Sequence, residues 1–214
     1  MHTENGMARS IWICRHGNRI DFVDPSWKGP DPHLSPDGIR QAQETGQRLR
    51  HEKIQAIFAS PFLRTVETAY YIADALDLRI KIEHGACEWL NPQWYLEQPR
   101  FVPPEALAKR FPRIDLSYTT LVRPSYPETL EECLERCRRT AMMLATANPT
   151  NMLIVGHGAS VTGLARGFLD TPCNISGGLC GLTKITCQHG TCSLELSGDT
   201  SHLTGGAQSR VRFH

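Results

Sequence analysis

The densest chemistry in the chain lies near its start, where the apolar run Ile11-Trp12-Ile13-Cys14 ends in Arg15-His16-Gly17-Asn18-Arg19. Arginine presents a planar fork of N–H groups that grips a phosphate through parallel bonds. Histidine can attack phosphorus through a ring nitrogen. Gly17 lets the backbone turn sharply and lets a ligand come close. A strand end that carries both a clamp and a nucleophile implies phosphoryl transfer through a phosphohistidine. On that reading His16 is the nucleophile, and Arg15, Arg19 and Asn18 contact the phosphate. Plainer readings stay open: His16 as a core histidine bonded to a carbonyl, and Arg19 as a partner of Asp21 or Asp24.

An Arg-His-Gly triplet occurs by chance, so the rest of a site has to come from other segments. Three supply it. Ser60-Pro61-Phe62-Leu63-Arg64-Thr65-Val66-Glu67-Thr68-Ala69 places Arg64 in a first helical turn. A cation there is poorly matched to the helix dipole, and a bound anion compensates. Ile154-Val155-Gly156-His157-Gly158 repeats the pattern of an apolar run ending in histidine. Cys87-Glu88-Trp89 offers a carboxylate in an apolar setting. Arg64 also reads as a solvated surface residue, His157 as a helix cap and Glu88 as a surface carboxylate.

The elements around these residues alternate strand and helix. Strands are expected at Ile11–Cys14, Ala56–Ala59, Arg79–Ile82 and Met152–Val155, with a late pair at Leu182–Cys187 and Cys192–Leu196 flanking the turn Gln188-His189-Gly190-Thr191. A helix starts at Ser35 as N-cap with Pro36 at its first position, and carries Ile39, Ala42, Gly46 and Leu49 on one face. A second opens at Ser60-Pro61. Ser125-Tyr126-Pro127-Glu128 reads as the capping box of a third, with Leu130, Leu134, Cys137, Ala141 and Leu144 inward. A fourth follows His157 with Val161, Leu164 and Phe168 inward. The fold class is therefore α/β: a three-layer α/β/α sandwich with a mostly parallel central sheet. Ligands of such folds bind beyond the carboxyl ends of the strands, where strand order switches. Arg15 and His16, Ser60 to Arg64, and Gly156 and His157 all fall at strand ends.

A chain of 214 residues buries one good core, so a single domain is expected over 10–204, between an N-terminal extension at 1–9 and a flexible tail at 205–214. Periodicity fails from about 85 to 127, where prolines and aromatics suggest an inserted lid. Trp89, Trp94, Tyr95, Phe101, Phe111, Tyr118 and Tyr126 are seven of the sixteen aromatics. A net charge of +1 gives no reason to expect nucleic acid or an acidic membrane surface. No stretch reaches the ~18 apolar residues of a membrane span, and Met1–Arg9 lacks an apolar signal core. A cytoplasmic protein is expected, with most of its eight cysteines as buried reduced thiols. Cys180, Cys187, His189 and Cys192 are the best zinc candidates, although they straddle a hairpin and form no paired CxxC knuckles.

With these segments in this order, and with Leu34-Ser35-Pro36-Asp37-Gly38-Ile39-Arg40-Gln41-Ala42 between them, the chain resembles the histidine phosphatase superfamily, also called phosphoglycerate mutase-like, from roughly Ser10 to Leu203. The resemblance implies that Glu88 is the acid/base catalyst, that His157 assists in the site, and that no metal and no cofactor take part. Within the superfamily, Arg15-His16-Gly17-Asn18-Arg19-Ile20-Asp21 and Glu88-Trp89 are most similar to the phosphatase domains of suppressors of T-cell receptor signalling and of ecdysteroid-phosphate phosphatase. Asn18 departs from the acidic residue of that pattern. The Glu-Ser and Trp-Asn pairs of the cofactor-dependent mutases are absent. The implied function is a phosphomonoesterase favouring apolar or aromatic small-molecule or protein phosphate esters. A mutase-type phosphotransferase and a weakly active binding or scaffold module stay open, as does a homodimer.

Overall fold

Ile11 and Ile13 face one side of a strand and Trp12 and Cys14 the other, and all four are fully buried. A strand buried on both faces belongs in the middle of a parallel sheet covered by helices. The computed structural model, which describes residues 8–169 and 175–205, has that arrangement. The elements run β1 (Arg9–Arg15), α1 (Ile20–Val23), α2 (Pro36–Leu49), β2 (Ala56–Ala59), α3 (Leu63–Leu76), β3 (Ile80–Ile82), α4 (Pro104–Arg110), α5 (Leu130–Ala147), β4 (Met152–Gly156), α6 (Gly158–Arg166), β5 (Leu182–Gln188) and β6 (Thr191–Asp199). The sheet order is β3-β2-β4-β1-β5-β6. The first four strands in that order are parallel, and β5 and β6 are antiparallel.

The pleat divides the core into two layers. Ile11, Ile13, Phe58 and Ile154 pack with Cys133, Cys137, Ala141 and Leu144 of α5 and with Val161 and Leu164 of α6. Trp12, Cys14, Ile57, Leu153 and Val155 pack with Leu49 of α2, Val66, Ala69 and Ile72 of α3, and Leu107 of α4. β4 sits between β1 and β2, so the chain reverses its direction of travel there, and the ends of β1 and β4 form the crevice. Register places Arg15 opposite Gly156. His16 and His157 therefore leave adjacent strands side by side.

Several expectations hold and others need correction. Ser35 caps α2 by accepting from the Gly38 amide at 3.1 Å. The third helix is different. Its capping box is Thr129 with Glu132, not Ser125 with Glu128. Glu128 is drawn into a buried ion pair with Arg136 and is not free to cap. The inward stripe of α5 is accordingly Cys133, Arg136, Cys137, Thr140, Ala141 and Leu144, while Leu130 is exposed. α3 begins at Leu63, because Ser60 turns to a histidine instead of a helix amide.

Residues 85–127, expected as an inserted lid, also hold regular structure and core. They contain α4, and Leu90, Phe111, Ile114 and Val122 are buried core. Cys187 and Cys192 face each other across the β5–β6 hairpin and are joined as a disulfide, so two of the expected thiols are oxidised and the zinc set is not formed. Cys14, Cys87, Cys133, Cys137 and Cys180 are free and buried. Of the expected N-terminal extension, residues 1–7 lie outside the described residues, and Arg9 is the first residue of β1. Of the expected tail only Gly205 is described; residues 206–214 lie outside the described residues. No helix among the described residues is long and apolar enough to cross a membrane.

Candidate active site

A tight backbone crossing shapes the first segment. A Cβ on Gly17 would lie 2.7 Å from the Gly38 carbonyl oxygen, and one on Gly38 would strike the Asn18 backbone. Two glycines thus let the loop after β1 lie against the first turn of α2. Asn18 fixes that contact by donating its amide to Gln41 Oε1 at 2.9 Å and accepting from the Ser35 amide at 2.9 Å. His16, 1 % exposed, donates from Nδ1 to the Gly17 carbonyl at 2.8 Å. A carbonyl only accepts, so Nδ1 carries the proton and Nε2 keeps its lone pair. Burial, then Arg64, then Arg15 hold the His16 pKa well below its ordinary value, which favours the neutral ring.

His157 is fully buried, its ring centroid 5.3 Å from that of His16. Ser60 Oγ lies 2.8 Å from His157 Nε2. His157 Nδ1 has no hydrogen-bond partner among the described residues and stands 3.6 Å from Glu88 Oε2. A carboxylate can only accept, which favours a proton on Nδ1 and a Ser60 hydroxyl donating to Nε2. Burial, with Arg64 next, also holds this histidine's pKa well below the ordinary value. His157 is then a neutral ring presenting an N–H to whatever occupies the crevice.

The arginines surround that space. Arg64, 2 % exposed at the start of α3, is 3.5 Å from Asp31 Oδ1 and 3.8 Å from Glu88 Oε2, and its guanidinium lies 4.4 Å from the Phe62 ring centroid. Arg15 donates to the Gly177 carbonyl at 2.5 Å. The Nε atoms of Arg15 and Arg64 are buried without a partner among the described residues, as is the Asn18 amide oxygen. An unpaired buried polar group costs about 1–3 kcal/mol. Several around one crevice mark a place that a ligand completes. Arg19 is held differently: it forms a two-pronged pair with Asp21 and lies over the Phe22 ring at 4.4 Å. The plainer reading of Arg19 is thus met by Asp21, with no hydrogen bond or ion pair to Asp24 among the described residues. Glu88 Oε1 accepts from the Trp89 amide at 3.0 Å, leaving Oε2 toward Arg64 and His157.

All seven sequence-derived residues thus lie at the ends of β1 and β4, the start of α3 and the loop after β3. Two others were not singled out for the site. Ser60 orients His157, and Asp31 accepts from the Leu63 amide at 2.8 Å beside Arg64. Burial raises the Asp31 pKa against the opposing pull of the Leu63 amide and Arg64. Its placement between Pro30 and Pro32, in a stiff loop, was the available signal.

The chain matches the family model "Histidine phosphatase superfamily (branch 1)" over residues 11–200. It belongs to the histidine phosphatase superfamily. Among curated relatives it is 30 % identical to mouse ubiquitin-associated and SH3 domain-containing protein A, over 87 % of this chain and 37 % of that protein. It is 28 % identical to the ecdysteroid-phosphate phosphatase of Bombyx mori, over 72 % of this chain and 30 % of that protein. The chain thus spans about a third of the length of these relatives. The crystal structure of the Bombyx mori ecdysone phosphate phosphatase in complex with tungstate superposes with a TM-score of 0.75 at 21 % identity, covering 87 % of this chain and 92 % of that one. That likeness establishes the shared fold: a mostly parallel sheet between helical layers.

Proposed function

We propose that this histidine phosphatase domain is a cytoplasmic phosphomonoesterase that works through a phosphohistidine on His16 and without a metal. One observation carries the reading. The free lone pair of His16, the unpaired Nδ1 of His157 and the unpaired Nε atoms of Arg15 and Arg64 lie together in one buried crevice. Arg15, Arg64 and Arg19, with the Asn18 amide, hold the phosphoryl oxygens, and His157 Nδ1 donates to one of them as charge develops. His16 Nε2 forms a bond to phosphorus as the ester P–O bond breaks. Glu88 in its acid form gives its proton to the departing oxygen. Water then attacks the phosphorus and yields its proton to Glu88. The P–N bond breaks, its electron pair returns to Nε2, and inorganic phosphate leaves. The guanidiniums supply the positive charge that a divalent ion supplies elsewhere.

The leaving group is read from the walls. Phe62 touches His157 at a centroid distance of 5.2 Å, Phe101 at 5.2 Å and Tyr95 at 6.0 Å. Trp94, Leu96 and Val102 in the same segment are exposed apolar side chains. An apolar or aromatic ester, on a small molecule or a protein, suits this mouth. The test is His16→Ala. Turnover should vanish while the circular dichroism spectrum is kept, and wild-type enzyme quenched during turnover should carry acid-labile phosphate on His16. Substantial activity in the alanine variant would overturn the covalent mechanism.

A further inference from the structure

Behind Glu88, away from the crevice, lies a charged pair that the proposed chemistry does not use. Arg136 of α5 is 6 % exposed and Glu128 is 4 % exposed. Burying such a pair is weak evidence for stability, because apolar residues of similar volume often serve as well. What the pair touches is more informative. Arg136 donates Nε to Glu128 Oε2 at 3.0 Å and one terminal nitrogen to Glu128 Oε1 at 2.5 Å. The same terminal nitrogen reaches the Glu88 carbonyl at 3.2 Å. The other reaches the carbonyls of Gly85 at 2.6 Å and Cys87 at 3.3 Å. The terminal nitrogens also approach the sulfurs of Cys133 at 3.3 Å and Cys137 at 3.5 Å, so the five N–H donors of the guanidinium are fully engaged.

Glu128 completes the frame. Its Oε1 accepts from the Leu90 amide at 3.0 Å, its carbonyl accepts from the Trp89 indole at 2.8 Å, and its amide donates to the Leu90 carbonyl at 3.3 Å. Backbone or indole groups at 85, 87, 88, 89 and 90 are thus fixed by two side chains and one peptide of α5 and its lead-in. The close approach has its own requirement: a Cβ on Gly85 would collide with Thr140 of α5. Within the described contacts, the Glu88 carboxylate itself is held by one backbone amide, that of Trp89.

We infer that the Arg136–Glu128 pair is the positioning device of the general acid: it sets the backbone on both sides of Glu88 so that the carboxylate faces the leaving oxygen. The inference rests on the acid role given to Glu88 above. It is specific to one step. Loss of the pair lowers protonation of the leaving group more than it lowers attack by His16.

The experiment is single-turnover phosphorylation of the enzyme by para-nitrophenyl phosphate, whose leaving group needs no proton, and by an alkyl phosphate, whose leaving group does. Arg136→Lys keeps the charge but has three donors in place of five. The double variant Arg136→Met with Glu128→Leu removes the pair without stranding a buried charge, and so guards against misfolding of the single change. Both variants should lose at least about tenfold on the alkyl ester and under about threefold on the aryl ester, within the range that acid/base assistance spans. A pair with only a structural role would shift the thermal midpoint and slow both esters alike. Equal losses, or no loss on the alkyl ester, would overturn the inference. Glu88→Gln, measured beside them, separates the two levels. If it shows the leaving-group contrast and the Arg136 variants do not, positioning fails alone. If it too shows no contrast, the acid role fails and takes the inference with it.

Discussion

Two fully buried neutral histidines make this fold sensitive to acid, and the size of the effect follows from the structure. His16 and His157 have pKa values held well below the ordinary one, chiefly by burial and secondly by Arg64. In the unfolded chain each regains a pKa of about 6.5. For a group depressed on folding in this way, the extra proton sits on the unfolded chain, so the contribution is full above 6.5 and is lost as pH falls from 6.5 to the depressed folded-state value. Each such proton changes the unfolding free energy by about 1.4 kcal/mol per pH unit. A histidine that takes up no proton in the folded state removes at most about 2 kcal/mol between pH 7 and pH 5. Asp115, pushed down to about 2 by Lys81 and Ser117, loses its contribution only at lower pH and does not confuse this window. The assay is urea unfolding at pH 7, 6 and 5 for the wild type and for His16→Asn. The variant should lose up to about 2 kcal/mol less over that range than the wild type does. An identical loss in both proteins would refute a neutral His16 in the folded protein, and with it the proposed free nucleophile at neutral pH.

Three further outcomes are expected. An excess of EDTA should leave kcat/KM within about twofold, because guanidiniums carry the phosphate charge; loss of activity restored by zinc or magnesium would count against the assignment. Aryl and other apolar esters should exceed sugar phosphates by about tenfold to a hundredfold in kcat/KM, the equivalent of burying one large apolar group at about 1.5–3 kcal/mol; preference for 3-phosphoglycerate or fructose bisphosphate would instead favour a metabolic role. Ser60→Ala, which frees His157 Nε2, should slow single-turnover phosphorylation at least about tenfold, and an unchanged rate would show that the tautomer is fixed by something else.

The fold was readable where burial and period agreed. Ile11–Cys14 of β1, together with β2 and β4, are short apolar runs with nothing charged inside, as strands of a covered central sheet are. α2 was readable to its first residue because Ser35 and Pro36 are local signals acting over three positions. The start of α5 was misread for the complementary reason. Ser125 and Glu128 have capping-box spacing, but Glu128 finds Arg136 eight residues on, and a buried bidentate charge pair outcompetes a cap. α4 was missed because Pro103 and Pro104 look like a loop, whereas Pro104 begins the helix, where its missing N–H costs nothing. The Cys187–Cys192 link follows from the hairpin and not from cysteine number, since the register sets the two opposite each other.

The site divides along the same line between local and distant causes. Residues proposed to touch phosphate stand at strand ends and helix starts, so each carries a local signature: an apolar run before it, a glycine after it, or a cation where the helix dipole disfavours one. Residues that hold those groups in place carry none. Ser60 reaches His157 across 97 positions of sequence, Asp31 reaches Arg64 across 33, and Arg136 reaches the Glu88 carbonyl across 48. In sequence the three are a serine before a helix, an aspartate between prolines and an arginine on an amphipathic helix. Their roles come from the crossing order of the sheet, which puts β4 beside β1 and α5 behind the loop after β3. The proposed nucleophile and one proposed clamp residue lie at the end of β1 and His157 at the end of the adjacent β4, whereas the proposed acid stands on a loop, and a loop needs an external frame to hold a carboxylate to the fraction of an ångström that proton transfer demands. The buried Arg136–Glu128 pair is placed to provide it.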